Sequence, residues 1–413
     1  MSFASGEVGG EFASYVVNRV VLTICFLLLV VMTSTGAAAA QMYTVLHTFS
    51  GGGDGASPST GLTPGPAGSY YGTTYGAAGQ LGTIFKLKPA GGSWILNTLY
   101  RFQGGSDGSG PLGRVSVASD GTLYGTTFEG GTGYGICNGG CGTIFHLTPG
   151  ARVPLTALST WNETVLYRFT GMSDGGGPRG DLVQDSMANL YGTGYYPGVV
   201  YELMDQQQAV LYSPGNYNAS GGMIFDSTGN LYGISVFGGQ YGLGCVYELS
   251  PSPSGWTAQM LYSFTGQSDG STPEGGLIMD SSGNLYGTTA YAPGYNGTVF
   301  ELSPVAGGGW NFQTLYSLPL GSGVPGGPLD ALAMDGGGNL YGTTYYGGSY
   351  GVGTVFELVP FNGSWTYVLL HEFTGGSDGS FPVSNLVFDN EGNVYGTASL
   401  GGNGYGVVYT IAP

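Results

Sequence analysis

An all-β fold is predicted by three observations: a composition suited to short strands and tight turns, a unit of about fifty residues written seven times, and four strand-like runs within each unit. Of 413 residues, 83 are Gly, 31 Tyr and 19 Phe, so the chain is rich both in residues that accept positive φ and in rings that fill a pleated sheet. Gly and Pro together reach the fraction at which unperiodic chains lose order, but 13% aromatic and only 8% charged residues supply the apolar surface that a packed core needs.

The unit is clearest in a Tyr-Gly pair, which recurs at Tyr71, Tyr124, Tyr191, Tyr232, Tyr286, Tyr341 and Tyr395. Successive separations are 53, 67, 41, 54, 55 and 54 residues, and residues 41–413 divided by seven give about 53, so the repeat fills the chain. The first run of a unit is of GLIMD type, as in DLVQD (181–185), GMIFD (222–226), GLIMD (276–280), ALAMD (331–335) and NLVFD (385–389). A DSSGN-like turn, with the Asx and Gly residues a hairpin needs, leads into the second run, NLYGTT. GTVFEL is the third and VLYSF the fourth. Four strands in such a length is the pattern of a β-propeller blade, whereas a β-helix turn would need about half of it.

The chain opens on a fourth run (45–49) and ends on a third (406–411). Pairing these two completes seven blades and closes the ring through both termini, which removes the free edges that invite aggregation. The predicted fold is therefore a seven-bladed β-propeller of four-stranded blades, with residues 41–413 as one domain. Blades are sandwiched between neighbours, so runs such as TVFEL with little polar alternation are expected. The Gly of each Tyr-Gly pair is expected to admit a neighbouring blade's backbone or ring. All five Trp (Trp94, Trp161, Trp256, Trp310, Trp365) stand six positions before the Tyr or His of a fourth run. An even offset predicts that both lie on one face of that strand, and the Trp are read as structural clamps.

Ahead of the repeats, Arg19, the apolar run 20–32 and the small residues Ala38-Ala39-Ala40 form a secretory leader, so residues 1–40 are expected to be removed on export. Glu7 and Glu11 lengthen its first region, and an uncleaved anchor is the alternative. No stable membrane span is expected after cleavage, and the address is extracellular or cell-surface. Cys137 and Cys141 in ICNGGCG are expected to form a local disulfide in that setting. Two thiolates without an adjacent His fall short of a zinc site, and no metal ligands are assigned.

Eight Lys and Arg against 25 Asp and Glu give a net charge of −17, which repels phosphate backbones and excludes nucleic acid as a partner. No Lys or Arg occurs after Arg179, while seventeen acidic residues follow from Asp181 to Glu391. Glu202, Glu248, Glu301 and Glu357 recur in the third run, where Lys86, His146 and Thr410 stand in other units; a position that takes both signs is expected to reach solvent.

The segment LYSFTGQSDGSTPEGGLIMDSSGNLYGTT (261–289), followed by GTVFELSP (297–304), resembles the Gloeo-Verruco type of extracellular tandem repeat, carried by proteins described as choice-of-anchor GloVer-containing proteins. Its variants cover essentially all of residues 43–413. The resemblance implies an exported bacterial surface propeller and no particular reaction.

Strand alternation puts the turns after second and fourth strands on one face. That face receives the GGSDGS connections, with Asp54, Asp107, Asp174, Asp269 and Asp378, and loops such as YYGGSYGVG, with Tyr345, Tyr346 and Tyr350. Carboxylates beside exposed rings suit a sugar, so these eight residues are the candidate ligand contacts; the structural alternative is that each Asp caps its own turn. The five Asp-Gly loops also offer oxygens to a structural calcium ion, although none has EF-hand spacing and no cofactor is otherwise expected. There is no nucleophile elbow or HExxH, and catalytic residues are not assigned. The expected function is non-catalytic binding of a glycan or a protein by a monomer. A glycoside hydrolase or lyase using loop carboxylates and a structural envelope component are the alternatives.

Overall fold

Seven antiparallel sheets follow one another along the chain, and in six of them the four strands pair in sequence order. The computed structural model describes residues 41–412 apart from 78, 132–136, 138, 151–160, 214–218 and 322–326. The predicted leader (1–40) lies outside the described residues. Blades 1 to 6 span 63–101, 116–168, 183–212, 219–263, 278–317 and 333–372. Blade 7 takes its inner strands from 380–412, where Ser380–Pro382 and Val387–Phe388 both pair with Val394–Leu400, and its outer strand from Met42–Thr48, which pairs with Val407–Ala412. The fold is the seven-bladed β-propeller that the repeat predicts, closed by the two ends as expected.

First strands are much shorter than the five-residue runs suggest. Ile278–Met279 and Ala333–Met334 are two residues long, as are their counterparts in all other blades except blade 4, where Ala219–Phe225 is extended and irregular. Residues before these strands instead turn against the neighbouring blade's backbone around the axis. A Cβ on Gly61 would overlap the Asn385 carbonyl, one on Gly180 that of Gly221, and one on Gly275 that of Asp330.

The Gly of the Tyr-Gly pair serves a ring, as expected, but a ring of its own blade. Gly72, Gly125, Gly287 and Gly342 lie directly opposite Phe85, Phe145, Phe300 and Phe356 on the third strand, and a Cβ would come within 3 Å of each ring. Tyr201, Tyr247 and Tyr409 take the same place in blades 3, 4 and 7. These rings are fully buried and carry the seven apolar clusters between blades.

The expectation that each Trp shares a face with the Tyr six positions later is corrected. A β-bulge breaks the pairing of the third and fourth strands in blades 1 to 6, for example between Ile84 and Phe85, where Leu99 is the extra residue. One extra residue inverts the alternation beyond it. Trp94 therefore faces back to Tyr395 and Tyr70, whereas Tyr100 faces forward with Phe102. The clamp reading holds: Trp256 meets Tyr191 and Trp310 meets Tyr232, each a Tyr of the preceding blade.

The third-strand position that takes either sign is half-buried rather than freely solvated, and its partner explains the tolerance. It sits opposite the Tyr of the pair, whose hydroxyl donates to Glu202 or Glu357 at 2.7 and 2.8 Å and accepts from Lys86 at 3.2 Å. A phenol can do both.

Candidate functional site

On the face that carries the second-to-third and fourth-to-first connections, the axis opens into a cavity of about 670 Å³. Its rim is aromatic: Tyr75, Phe128, Tyr195, Tyr196 and Tyr345 come from the second-to-third loops of blades 1, 2, 3 and 6. Its floor is charged, with Arg179, Glu274 and Asp330 from the connections that enter blades 3, 5 and 6. Beneath it a polar recess of about 40 Å³ is lined in part by Arg114, Asp181, Asp330 and Asn385.

The floor is built from one short segment repeated around the axis. In PLGRV, PRGDL, PEGGL, PLDAL and PVSNL the residue after Pro is Leu112, Arg179, Glu274, Leu329 or Val383, and the next positions hold Gly113, Gly180, Gly275, Asp330 and Ser384. The position after Pro is mostly uncharged, the next ones are mostly small because the backbones touch there, and each charged residue is an exception to the repeat. Arg114 is tied down: Nη2 and Nε each lie 2.7 Å from Asp181 Oδ2, and its backbone N–H donates to Asp181 Oδ1 at 2.7 Å. Asn385 also donates to Asp181 and accepts from the Ala331 N–H. Burial pushes the Asp330 carboxyl up to about 7, helped by the nearby Asp181 and Glu274 charges and opposed by Arg114. Burial also raises Glu274, against the pull of Arg179.

Of the predicted contacts only Tyr345 lines this cavity. Tyr346 packs on Tyr345 and Phe381, and Tyr350 is 61% exposed outside the cavity. Asp54, Asp107, Asp174, Asp269 and Asp378 hold their own turns, the structural alternative. Asp269 accepts from the Thr265 and Gln267 N–H groups and the Thr265 and Tyr262 hydroxyls, and Asp174 is bound in the same way. In Asp54 and Asp378 a His, His47 or His371, replaces the Tyr. Asp107 accepts from Tyr100 and the Gln103 N–H. Both oxygens of each carboxylate are engaged, so a calcium ion would compete with protein donors. Cys137 and Cys141 are joined as a disulfide whose sulfurs lie over Gly171.

A second Asp set follows the first strands. Asp280 accepts from the Ser282 and Asn284 N–H groups, Asn284 Nδ2 and the Tyr286 hydroxyl, and Asp185, Asp226, Asp335 and Asp389 repeat the arrangement. In Asp54, Asp226, Asp269, Asp280 and Asp389 burial opposes ionisation, but these hydrogen bonds win and the pKa falls. Depressed groups give stability that is lost as pH falls through their folded pKa. Asp330 and Glu163, both raised to about 7 chiefly by burial, give stability that is complete at low pH and lost as pH rises toward 7. The melting temperature is therefore expected to peak between about pH 4 and 6 and to fall on both sides. A melt that climbs steadily from pH 5 to 8 would contradict this assignment.

Fold and site define a closed propeller with a ligand-sized axial cavity on its loop-rich face. The chain belongs to the Gloeobacter/Verrucomicrobia repeat family, whose model matches residues 31–202 and 219–413. No curated protein matches it. Among solved structures it is similar to the virginiamycin B lyase from Staphylococcus aureus, with TM-score 0.57 and 12% identity over 90% of this chain and 99% of that one. It is also similar to the extracellular domain of a one component system from B. thetaiotaomicron, with TM-score 0.54 and 12% identity over 90% of this chain and 40% of that one. At such identities the likeness is one of fold.

Proposed function

We propose that the protein is an exported binding propeller whose ligand is a saccharide held in the axial cavity. The observation that carries this reading is the aromatic rim above a charged floor. Flat rings offer apolar faces to a sugar ring, and Arg179, Glu274 and Asp330 offer donors and acceptors for hydroxyls. The volume falls within the ~300–1,000 Å³ usual for small-ligand sites. Export is supported by the leader composition and by the Cys137–Cys141 disulfide, and no helix among the described residues is long and apolar enough to cross a membrane.

The test is binding of residues 41–413 to a panel of glycans and polysaccharides. Tyr196, 45% exposed at the rim, can be removed without opening the core. Tyr196→Ala is expected to weaken binding about tenfold, or ~1.4 kcal/mol, with an unchanged melt. Silence across the panel would sink the saccharide reading and shift weight to a protein partner.

A second reading, cleavage of a glycosidic bond, is favoured by the Asp330 carboxyl, which is pushed up to about 7 in the cavity it shares with Glu274. A carboxylic acid near neutrality is what a general acid requires. Release of new reducing ends from a bound glycan, lost in Asp330→Asn while binding persists, would decide for it.

A further inference from the structure

We propose that the saccharide taken by the axial cavity is an acidic one, and that the Arg179 guanidinium reads its carboxylate. The inference rests on the saccharide reading above and narrows it to a substrate class.

This acid-rich protein has only eight Lys and Arg, and most of those described have protein partners. Arg101 and Arg168 donate to the backbone carbonyls of Gly53 and Ser106, Lys86 to the Tyr71 hydroxyl, Arg114 is held by Asp181, and Lys88 is exposed to solvent on the strand Thr83–Ala90. Arg179 is different. Among the described residues it makes no hydrogen bond or ion pair; its guanidinium carbon lies 4.8 Å from the centre of the Tyr195 ring. The ring face holds the guanidinium by cation–π attraction while its N–H groups have no protein acceptor among the described residues, which leaves them for bidentate binding of a carboxylate. The propeller itself does not require Arg here, because the equivalent positions of other blades carry Ser59, Leu112, Glu274, Leu329 and Val383.

The charge balance around Arg179 shifts with pH. From blade 3 itself and blade 2 come Asp181 and Arg114, which neutralise each other. From blades 5 and 6 come Glu274 and Asp330, both shifted toward the neutral form by burial. The remaining neighbours that can titrate are the phenols of Tyr75, Tyr196 and Tyr345, which burial raises, that of Tyr195, and Tyr409, whose raised hydroxyl senses Asp330 from blade 7. As pH falls below 7 the cavity becomes more cationic, and a carboxylate that stays ionised should bind more tightly.

The experiment uses galacturonate, glucuronate and mannuronate oligosaccharides, each paired with its neutral parent sugar, titrated calorimetrically at pH 5.5 and 8. The wild-type chain is expected to prefer at least one acidic member over its parent by about tenfold or more at pH 5.5, with a smaller preference at pH 8. Arg179→Gln should lower affinity for the acid far more than for its neutral parent and so erase the preference, and Glu274→Gln should move the opposite way, raising affinity for the acid at pH 8. Equal affinity for acid and parent, or a preference that survives Arg179→Gln, would overturn the carboxylate assignment and leave the saccharide reading standing. If neither member of any pair binds, both fall together.

Discussion

Removal of residues 41–50 is expected to abolish cooperative folding at ordinary temperature. Met42–Thr48 is the outer strand of blade 7, and its loss exposes the whole edge of Val407–Ala412. The segment also packs in both directions. Tyr43 stacks on His371 of blade 6 at 3.8 Å and donates to the Asp378 carbonyl, while Leu46 joins the cluster shared with blade 1. Phe49, fully buried, meets Phe85 edge-on at 5.5 Å and donates its N–H to the Gly406 carbonyl at 3.0 Å. Burying one large apolar side chain stabilises by about 1.5–3 kcal/mol, so losing four or five of them approaches the ~5–15 kcal/mol that holds a typical protein folded. The single change Phe49→Ala should cost about 3–5 kcal/mol. Urea denaturation followed by circular dichroism checks both, and a deletion that melts like the parent would remove the closure from the account of stability.

The closing strand was legible because it is a strand type out of order: a fourth run first and a third run last admit one way of completing the ring. Repetition makes such inferences strong, since each blade tests the others. The bulge was not legible, because it inserts a residue without changing composition or the Trp-to-Tyr spacing. It exists in the hydrogen-bond register alone, and parity arguments fail beyond it.

The same logic explains the site. The candidate cavity opens on the face that the loop composition singles out, yet the sequence draws attention to what repeats, namely the Asp of GGSDGS, and repetition in this fold marks turns that every blade must make. The charged groups of the candidate cavity are departures from the repeat. Arg114, Arg179, Asp181, Glu274 and Asp330 stand where other blades carry uncharged residues, and a comparison of unit against unit over the three residues after this Pro would have isolated them. That they converge could not be read from one chain, because segments roughly 50 residues apart meet only when the ring closes.

The inner ring also sets the second large effect, a contrast between two substitutions of the same kind. Gly180→Ala is expected to destabilise by about 3 kcal/mol or more, whereas Gly336→Ala should be neutral or stabilise by up to ~1 kcal/mol. A Cβ on Gly180 would overlap the Gly221 carbonyl and crowd Thr193 Oγ1. Overpacking in a core is usually relieved by a side chain that swings aside, but the obstacle here is backbone. Gly221 cannot retreat, since it lies against the Glu274 and Gly275 carbonyls, and Gly275 in turn lies against Asp330. Displacement is therefore handed around the axis. Gly336, in the hairpin after the first strand of blade 6, has no atom within 4 Å of its Cβ position, so the methyl acts only by restricting the unfolded chain. Gly180 is flanked by Arg179 and Asp181, so any surviving Gly180→Ala protein should also bind its ligand more weakly than Gly336→Ala does. Equal urea midpoints for the two variants would mean that the inner ring yields as easily as a surface turn, and the small residues at the axis would then need another cause.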